Sequence, residues 1–351
     1  MLQKVIFLST IIQFFGFSSL VLATTCYTDC ESRFPKWYQG PDRARCTVEK
    51  AKACLDTSGL PGPTDLSAFD SEYQNYTGRL LNDFLEGGYV VSRRADGTAM
   101  HQGDSLIWSG IAMASLPCDR ADLIRKAITR SIEKNDGRIL RFEPLPTSYQ
   151  GNETSRDAEV GALFGFTQLS LRCPEMKNSL AAAWETHRDF VKTHNGRLHE
   201  GSNANFYINP SLQFIFDLVS HHFLGTAKPS SESLKMFEAG VIVSTTTISE
   251  QKNACYPVHL STLLLNVASK LGKGVSHLTR REFCHQTRGM DLPLTEWYCE
   301  RGNKTDFLRN YTPNQWEYRH QRCSGWESPD VDPGEASPGV DYLVYKILVG
   351  E

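Results

Sequence analysis

The sequence predicts a mostly α fold of stacked helical hairpins, and three observations lead there. Polar loops open onto apolar helices at Asp104 (HQGDSLIWSGIAMASL), Asp157 (ETSRDAEVGALFGFTQLSL), Tyr207 (NANFYINPSLQFIFDLVS) and Pro257 (CYPVHLSTLLLNVASKLG), with successive starts 53, 50 and 50 residues apart. Such a period marks a supersecondary unit that cannot bury its apolar face alone. These segments are apolar around most of their circumference, whereas the segments between them are amphipathic, which suits an inner and an outer layer. Strand-like alternation is scarce.

Taken in order, Lys4 precedes an apolar run, Val5 to Leu22, that ends in Val21-Leu22-Ala23. Residues 1–23 read as a cleaved signal peptide. As a retained anchor the stretch is barely long enough, contains Gln13 and several serines, and has no basic flank after it. Thr24 and Thr25 before Cys26 do not suit a lipoprotein signal. Residues 24–65 form a cysteine-bearing segment closed by the connector Ser58-Gly59-Leu60-Pro61-Gly62-Pro63. Residues 66–351 make the helical domain. A first inner helix is expected from Ser71 to Leu85, ended by Gly87-Gly88. Further inner helices follow over 104–116, 157–171, 207–223 and 257–271, with outer partners at 119–135, 175–193, 230–239 and 277–287. Small hairpins are expected at Gly88–Arg93 and Gly137–Phe142. An insertion, 288–337, carries Trp297, Trp316, Trp326 and two cysteines, and precedes a sixth inner helix from Gly339 to Leu348.

A net charge of −3, with no basic run beyond Arg93-Arg94 and Arg280-Arg281, excludes an electrostatic tracker of nucleic-acid phosphates. A neutral or polar ligand fits better. Ten cysteines, all beyond the expected leader, are an even number in an exported chain and read as disulfides. Cys118 and Cys173 occupy the same repeat position, the turn after a first helix, and should be neighbours. Cys255 and Cys284 lie at one end of a hairpin, Cys299 with Cys323 would staple the insertion, and Cys26, Cys30, Cys46 and Cys54 would close the N-terminal segment. Metal binding by that last group is disfavoured, because Cys-x3-Cys with Cys-x7-Cys and no nearby histidine is a poor zinc pattern. Elsewhere no His, Asp or Glu set shows metal-ligand spacing. His221-His222 reads as a pair completing hydrogen bonds at a helix end.

Six alternating inner and outer helices resemble the (α/α)6 toroid of carbohydrate-active enzymes, a group that includes unsaturated glucuronyl hydrolases, endoglycanases and the helical domains of polysaccharide lyases. The resemblance covers roughly residues 70 to 350 and is architectural. It implies parallel inner helices whose N-termini share one mouth, collecting His101, Asp104, Glu153, Arg156, Asp157, Asn203, Asn205, Tyr207, Cys255 and His259. Helix dipoles would make that mouth positive. Glycoside hydrolysis needs two carboxyls, one protonated to assist the leaving oxygen and one ionised to activate water or attack carbon. Asp104 and Asp157, at consecutive inner N-termini roughly 8 to 10 Å apart, are the candidates. A structural reading stands beside this one: Asp104 suits an N-cap, and Thr154-Ser155-Arg156-Asp157 has the form of a capping box. Glu143, Glu153, Glu200 and Glu317 are reserves, more ordinary as solvated surface carboxylates.

Around the pair, Arg156 offers a planar fork for a uronate or sulfate, or a structural ion pair. Tyr207, Trp316 and Tyr318 offer flat faces for sugar rings, whereas Trp108, mid-helix, belongs to the core. His101, Asn203, Asn205 and His259 complete the substrate-binding set. The expected activity is a secreted, periplasmic or extracellular, monomeric glycoside hydrolase without cofactor. A polysaccharide lyase would instead use His259 or Tyr207 as base, with Asn203, Asn205 or Arg156 neutralising a uronate. A non-catalytic carbohydrate-binding protein would keep the aromatic platform without a carboxyl pair. No Gly-x-Ser-x-Gly elbow, P-loop or dinucleotide glycine fingerprint occurs. Sequons stand at Asn75, Asn152, Asn303 and Asn310.

Overall fold

The computed structural model describes residues 74–300, apart from 75, 76, 79, 95, 101, 145–152, 199–206, 247–254 and 289–292, together with 335, 336 and 340. All lie in the compact unit Phe69–Glu351. The expected leader, the N-terminal cysteine segment, the sequons, most of the insertion and nearly all of the sixth inner helix lie outside the described residues.

Within them the chain is mostly helical with a few short strands. Helical residues ending at Asp83 lead into a hairpin of β1 (Leu85–Glu86) and β2 (Tyr89–Val90). Gly87 and Gly88 turn it with φ of 60° and 88°, which only glycine adopts without strain. A second small sheet has the order β4-β3-β5, antiparallel throughout, from β3 (Ser92–Arg94), β4 (Ala99–Met100) and β5 (Glu335–Ala336). Arg93 joins the two sheets through Glu86 at 3.0 Å. The expected hairpin at Gly137–Phe142 does not form. There the chain runs irregularly, its groups satisfied by contacts such as Arg141 N–H to the Glu153 carbonyl at 2.8 Å.

Four hairpins follow, each pairing an apolar helix with an amphipathic one: α1 (Ser105–Ser115) with α2 (Cys118–Lys134), α3 (Arg156–Arg172) with α4 (Lys177–Thr193), α5 (Pro210–Leu224) with α6 (Ser231–Thr246), and α7 (Cys255–Lys270) with α8 (His277–Gln286). Local chemistry sets the ends. Leu116 turns extended before Pro117 and stops α1. Asn209 caps α5 by accepting Leu212 N–H at 2.7 Å, Pro210 opens it, and Gly225 at φ 62° closes it. Helix α6 runs past the expected 239 because Phe237, Val241 and Thr245, four apart, continue its buried face.

Every residue of α1 is buried, as is all of α3 from Ala158 to Ser170. Glycine permits their contact. A Cβ added to Gly161 would lie 2.5 Å from the Ile107 Cα, one added to Gly165 2.8 Å from the Gly110 Cα, and one added to Gly110 would overlap the Gly161 carbonyl oxygen. Contacts therefore advance together along both helices, which makes them parallel. Outer helices α2 and α4 are also parallel, touching at Arg125–Ser179 near their starts and through Gly137 and Phe190 near their ends. The turns after α1 and α3 are joined by the Cys118–Cys173 disulfide, as their repeat position predicts.

Two features depart from expectation. A ring in chain order would place α5 between α3 and α7, yet α3 packs directly on α7, where the buried Gln168 amide donates to Asn266. A second disulfide among the described residues joins Cys284 to Cys299, so neither Cys255–Cys284 nor Cys299–Cys323 forms. The reason is a short helix, α9 (Pro293–Tyr298), which packs on α7 and returns the chain to α8. Arg280 of α8 reaches the Tyr298 carbonyl at 2.9 Å and Glu300 at 2.8 Å.

The glycine seam predicts its own fragility. Gly161→Ala should lower unfolding stability by about 1–3 kcal/mol through overpacking. Gly78→Ala, on helical backbone with open space around it, should be neutral or slightly stabilising. Urea midpoints of the two variants measure the contrast.

Candidate functional site

The parallel N-termini of α1 and α3 form the best-defined cluster of expected site residues. Asp104 ends a short 3-10 turn, Gln102–Asp104, and immediately precedes α1. It stands at the N-cap position of α1, as expected, but its side chain makes no capping hydrogen bond to that helix. At α3 the cap is Ser155, whose Oγ accepts Ala158 N–H at 3.1 Å. The box read at Thr154–Asp157 is thus displaced by one residue, and Ala158 at the third helical position has no side chain to return a bond. Asp157 is the second helical residue. Its spacing of four from Gly161, and of eight from Gly165, puts it on the stripe of α3 that faces α1. Asp104 and Asp157 are both half-buried.

Arg141 ties the two entry loops together. Its Nη1 donates to the Gly103 carbonyl at 2.9 Å, its Nε to the Thr154 carbonyl at 3.2 Å, and its backbone N–H to the Glu153 carbonyl. A guanidinium therefore stands beside both segments that carry the aspartates. Sequence reading missed it because it lies in an irregular stretch without repeat or periodicity.

The other expected residues are placed as follows. Arg156 is exposed and Glu153 half-buried. Tyr207 is exposed, three residues ahead of α5, and its hydroxyl accepts Arg197 Nε–H at 2.9 Å while the guanidinium lies 5.5 Å from the ring centroid. His259 is only 3% exposed on α7, so it offers a substrate no surface here. Burial pushes its imidazole down to about 4, and it is neutral at neutral pH. Trp108 is core. Glu143 is engaged by Lys134 at 2.6 Å and Asn135 at 3.1 Å. His221 and His222 complete hydrogen bonds, to the Thr226 carbonyl at 2.5 Å and Ser170 Oγ at 2.9 Å. His101, Asn203, Asn205, Glu200, Glu317, Trp316, Tyr318, Cys323, Cys26, Cys30, Cys46, Cys54 and the side chain of Cys255 lie outside the described residues. The sulfurs of Cys118 and Cys173 approach the Glu175 carboxylate, but the disulfide leaves them no thiolate for a metal.

Further along α3 lies a buried acid–base pair that sequence reading also missed. Glu159, in the first turns of α3, and His187 of α4 are 0% and 1% exposed. His187 Nε2 is 3.1 Å from Glu159 Oε1, and its Nδ1 is 2.8 Å from the Gly137 carbonyl oxygen. The signal was present: Leu180, Ala183, Trp184, His187 and Val191 share the buried face of α4, and Glu159 interrupts an apolar run. Titratable groups at core positions of facing helices are candidates for each other.

Among the described residues no helix is long and apolar enough to cross a membrane. Comparisons with protein-family models, curated proteins and solved structures return no match.

The buried His259 sets an acid limit. Its folded value lies below the ordinary 6.5, so its contribution is complete above 6.5 and is lost as pH falls toward 4, by up to about 3 kcal/mol. Urea unfolding at pH 7 and pH 4.5 should show a smaller loss in His259→Gln than in wild type. A residual slope from His222, also lowered to about 4, should persist.

Proposed function

We propose that this chain is a secreted glycoside hydrolase acting on a polysaccharide or oligosaccharide through Asp104 and Asp157. The observation that carries the reading is their placement at the N-termini of two close-packed parallel helices, with Arg141 binding both entry loops. The Asp104 side chain makes no capping bond to α1, and the cap of α3 is Ser155 rather than Asp157. One carboxyl would protonate the departing glycosidic oxygen while the other, ionised, activates water or attacks the anomeric carbon. Both helix N-termini, with the Arg141 guanidinium on their entry loops, place positive potential at this end of the helix pair. This reading takes the alternating buried and more exposed helices as part of an (α/α)6 toroid. Export would supply the oxidising medium that the two disulfides require.

One observation favours a second reading. The exposed Tyr207 phenol beside the Arg197 guanidinium is a base-and-cation pair of the kind β-elimination on a uronate uses. The buried His259 lends that reading no support.

A screen of polysaccharides against the purified chain, Asp104→Asn and Asp157→Asn separates the two. New reducing ends without the ultraviolet absorbance of unsaturated uronates, falling at least about a hundredfold in both folded variants, are the expected result. Absorbance that survives in both variants and vanishes in Tyr207→Phe would replace hydrolysis with elimination. Sugar binding with no product from any polymer would leave a non-catalytic binding protein.

A further inference from the structure

We propose that Glu159 and His187 form a buried latch that holds the first turns of α3 against α4 through one shared proton, and that alkaline medium, by removing this proton, releases the turn presenting Asp157. The argument begins with what each atom can do. The Gly137 carbonyl only accepts, so His187 Nδ1, 2.8 Å away, carries a hydrogen. A proton must then lie between Nε2 and Glu159 Oε1 at 3.1 Å, whether as imidazolium with carboxylate or as imidazole with carboxylic acid. Without it, a carboxylate would face a nitrogen lone pair in a dry interior.

Among the described residues Glu159 Oε2 is buried and has no hydrogen-bond partner. The His187 ring is flanked by Trp184 and Phe216, with centroids at 5.3 and 6.0 Å. Of the helices packed around the pair, α1 carries no charged residue. On α2, Asp122 is held by Arg125 and Lys126, and in the stretch after it Glu143 is held by Lys134 and Asn135. On α4, Arg188 pairs with Asp189; on α5, Asp217 is bonded by Gln213; on α7, His259 is neutral at neutral pH. Burial works against the imidazolium, yet the Glu159 charge and hydrogen bond, with the Gly137 carbonyl, hold His187 above its ordinary value. The latch is therefore closed below the ordinary imidazole range and opens as pH rises through that raised value.

Gly137 makes the third partner rigid. At φ 91°, a Cβ there would lie 2.6 Å from the Thr186 carbonyl oxygen, so the turn after α2 sits directly on α4. The same stretch of chain continues to Arg141 and the two entry loops.

The latch does not depend on the hydrolase reading, and its test uses no substrate. Amide exchange by mass spectrometry on the full chain, from pH 6 to 10 and corrected for the intrinsic pH dependence of exchange, follows residues 158–162 against the interior of α1. Protection of α3 should fall about tenfold or more in wild type while α1 stays constant. In Glu159→Gln it should stay flat, because a carboxamide N–H donates to unprotonated Nε2 without titrating. A flat wild-type profile, or an equal decline in the variant, would overturn the latch. If Glu159→Gln does not fold, the ring nitrogens of His187 in labelled wild type decide, assigned through contacts to Trp184 and Phe216. A change above the ordinary imidazole value of 6.5 is expected, and constant shifts to pH 10 would refute it.

Discussion

The backbone contact between α1 and α3 at Gly110, Gly161 and Gly165 is the constraint to which the rest of the described structure answers. Helices ordinarily stand 8–10 Å apart because side chains keep them there. Here the side chains at the crossing are absent, and the two helices meet through main chain. The contact gives up helix propensity at three positions and gains dense dispersion contacts, with no rotamer freedom to lose. It also fixes register, because a one-residue slide would drive a Cβ into a carbonyl. The ends of both helices are carried along, so the separation of Asp104 from Asp157 follows from residues well below them.

That helix pair is secured at three levels. The Cys118–Cys173 disulfide closes the C-terminal turns, the glycine seam fixes the middle, and Arg141 binds the N-terminal loops. The levels differ in chemistry: a covalent bond acts mainly by restricting the unfolded chain, packing acts on the folded state, and the guanidinium satisfies carbonyls that would otherwise need water. Glu159 and His187 add a fourth tie, lateral to the others, that carries α3 to the outer layer.

How much of this could be read from sequence follows from the range of each interaction. Helix positions and the alternation of apolar and amphipathic segments were legible because they are written in local periodicity, and the Cys118–Cys173 neighbourhood because the repeat carries two turns to equivalent places. Asp104 and Asp157 were legible as residues at helix starts. Which residue caps α3 was not, since one residue of phase decides whether Ser155 or Thr154 takes that role. The segment 137–142 looked like a hairpin because Ile139, Leu140 and Phe142 are β-formers, but their burial against helices overrides that preference. The α3–α7 contact was invisible because two amides 98 residues apart, Gln168 and Asn266, seal it. Cys284 with Cys299 was missed because the insertion that returns Cys299 has no repeat to place it. Arg141 and the Glu159–His187 pair likewise depend on which loops and faces meet.

The small sheet bears on how the chain reaches this state. Strand β3 is completed on one side by β4, a few residues on, but on the other by Glu335–Ala336, roughly 240 residues later. A pairing so distant closes a long loop and contributes little to early nucleation. During synthesis at about 5–20 residues per second, that edge of β3 waits some 12 to 50 seconds for its partner. For that interval its unpaired N–H and C=O groups remain a template for the wrong strand. The pair Glu335–Ala336 thus covers an edge made about 240 residues before it, and a chain truncated before residue 335 would leave that edge of β3 open.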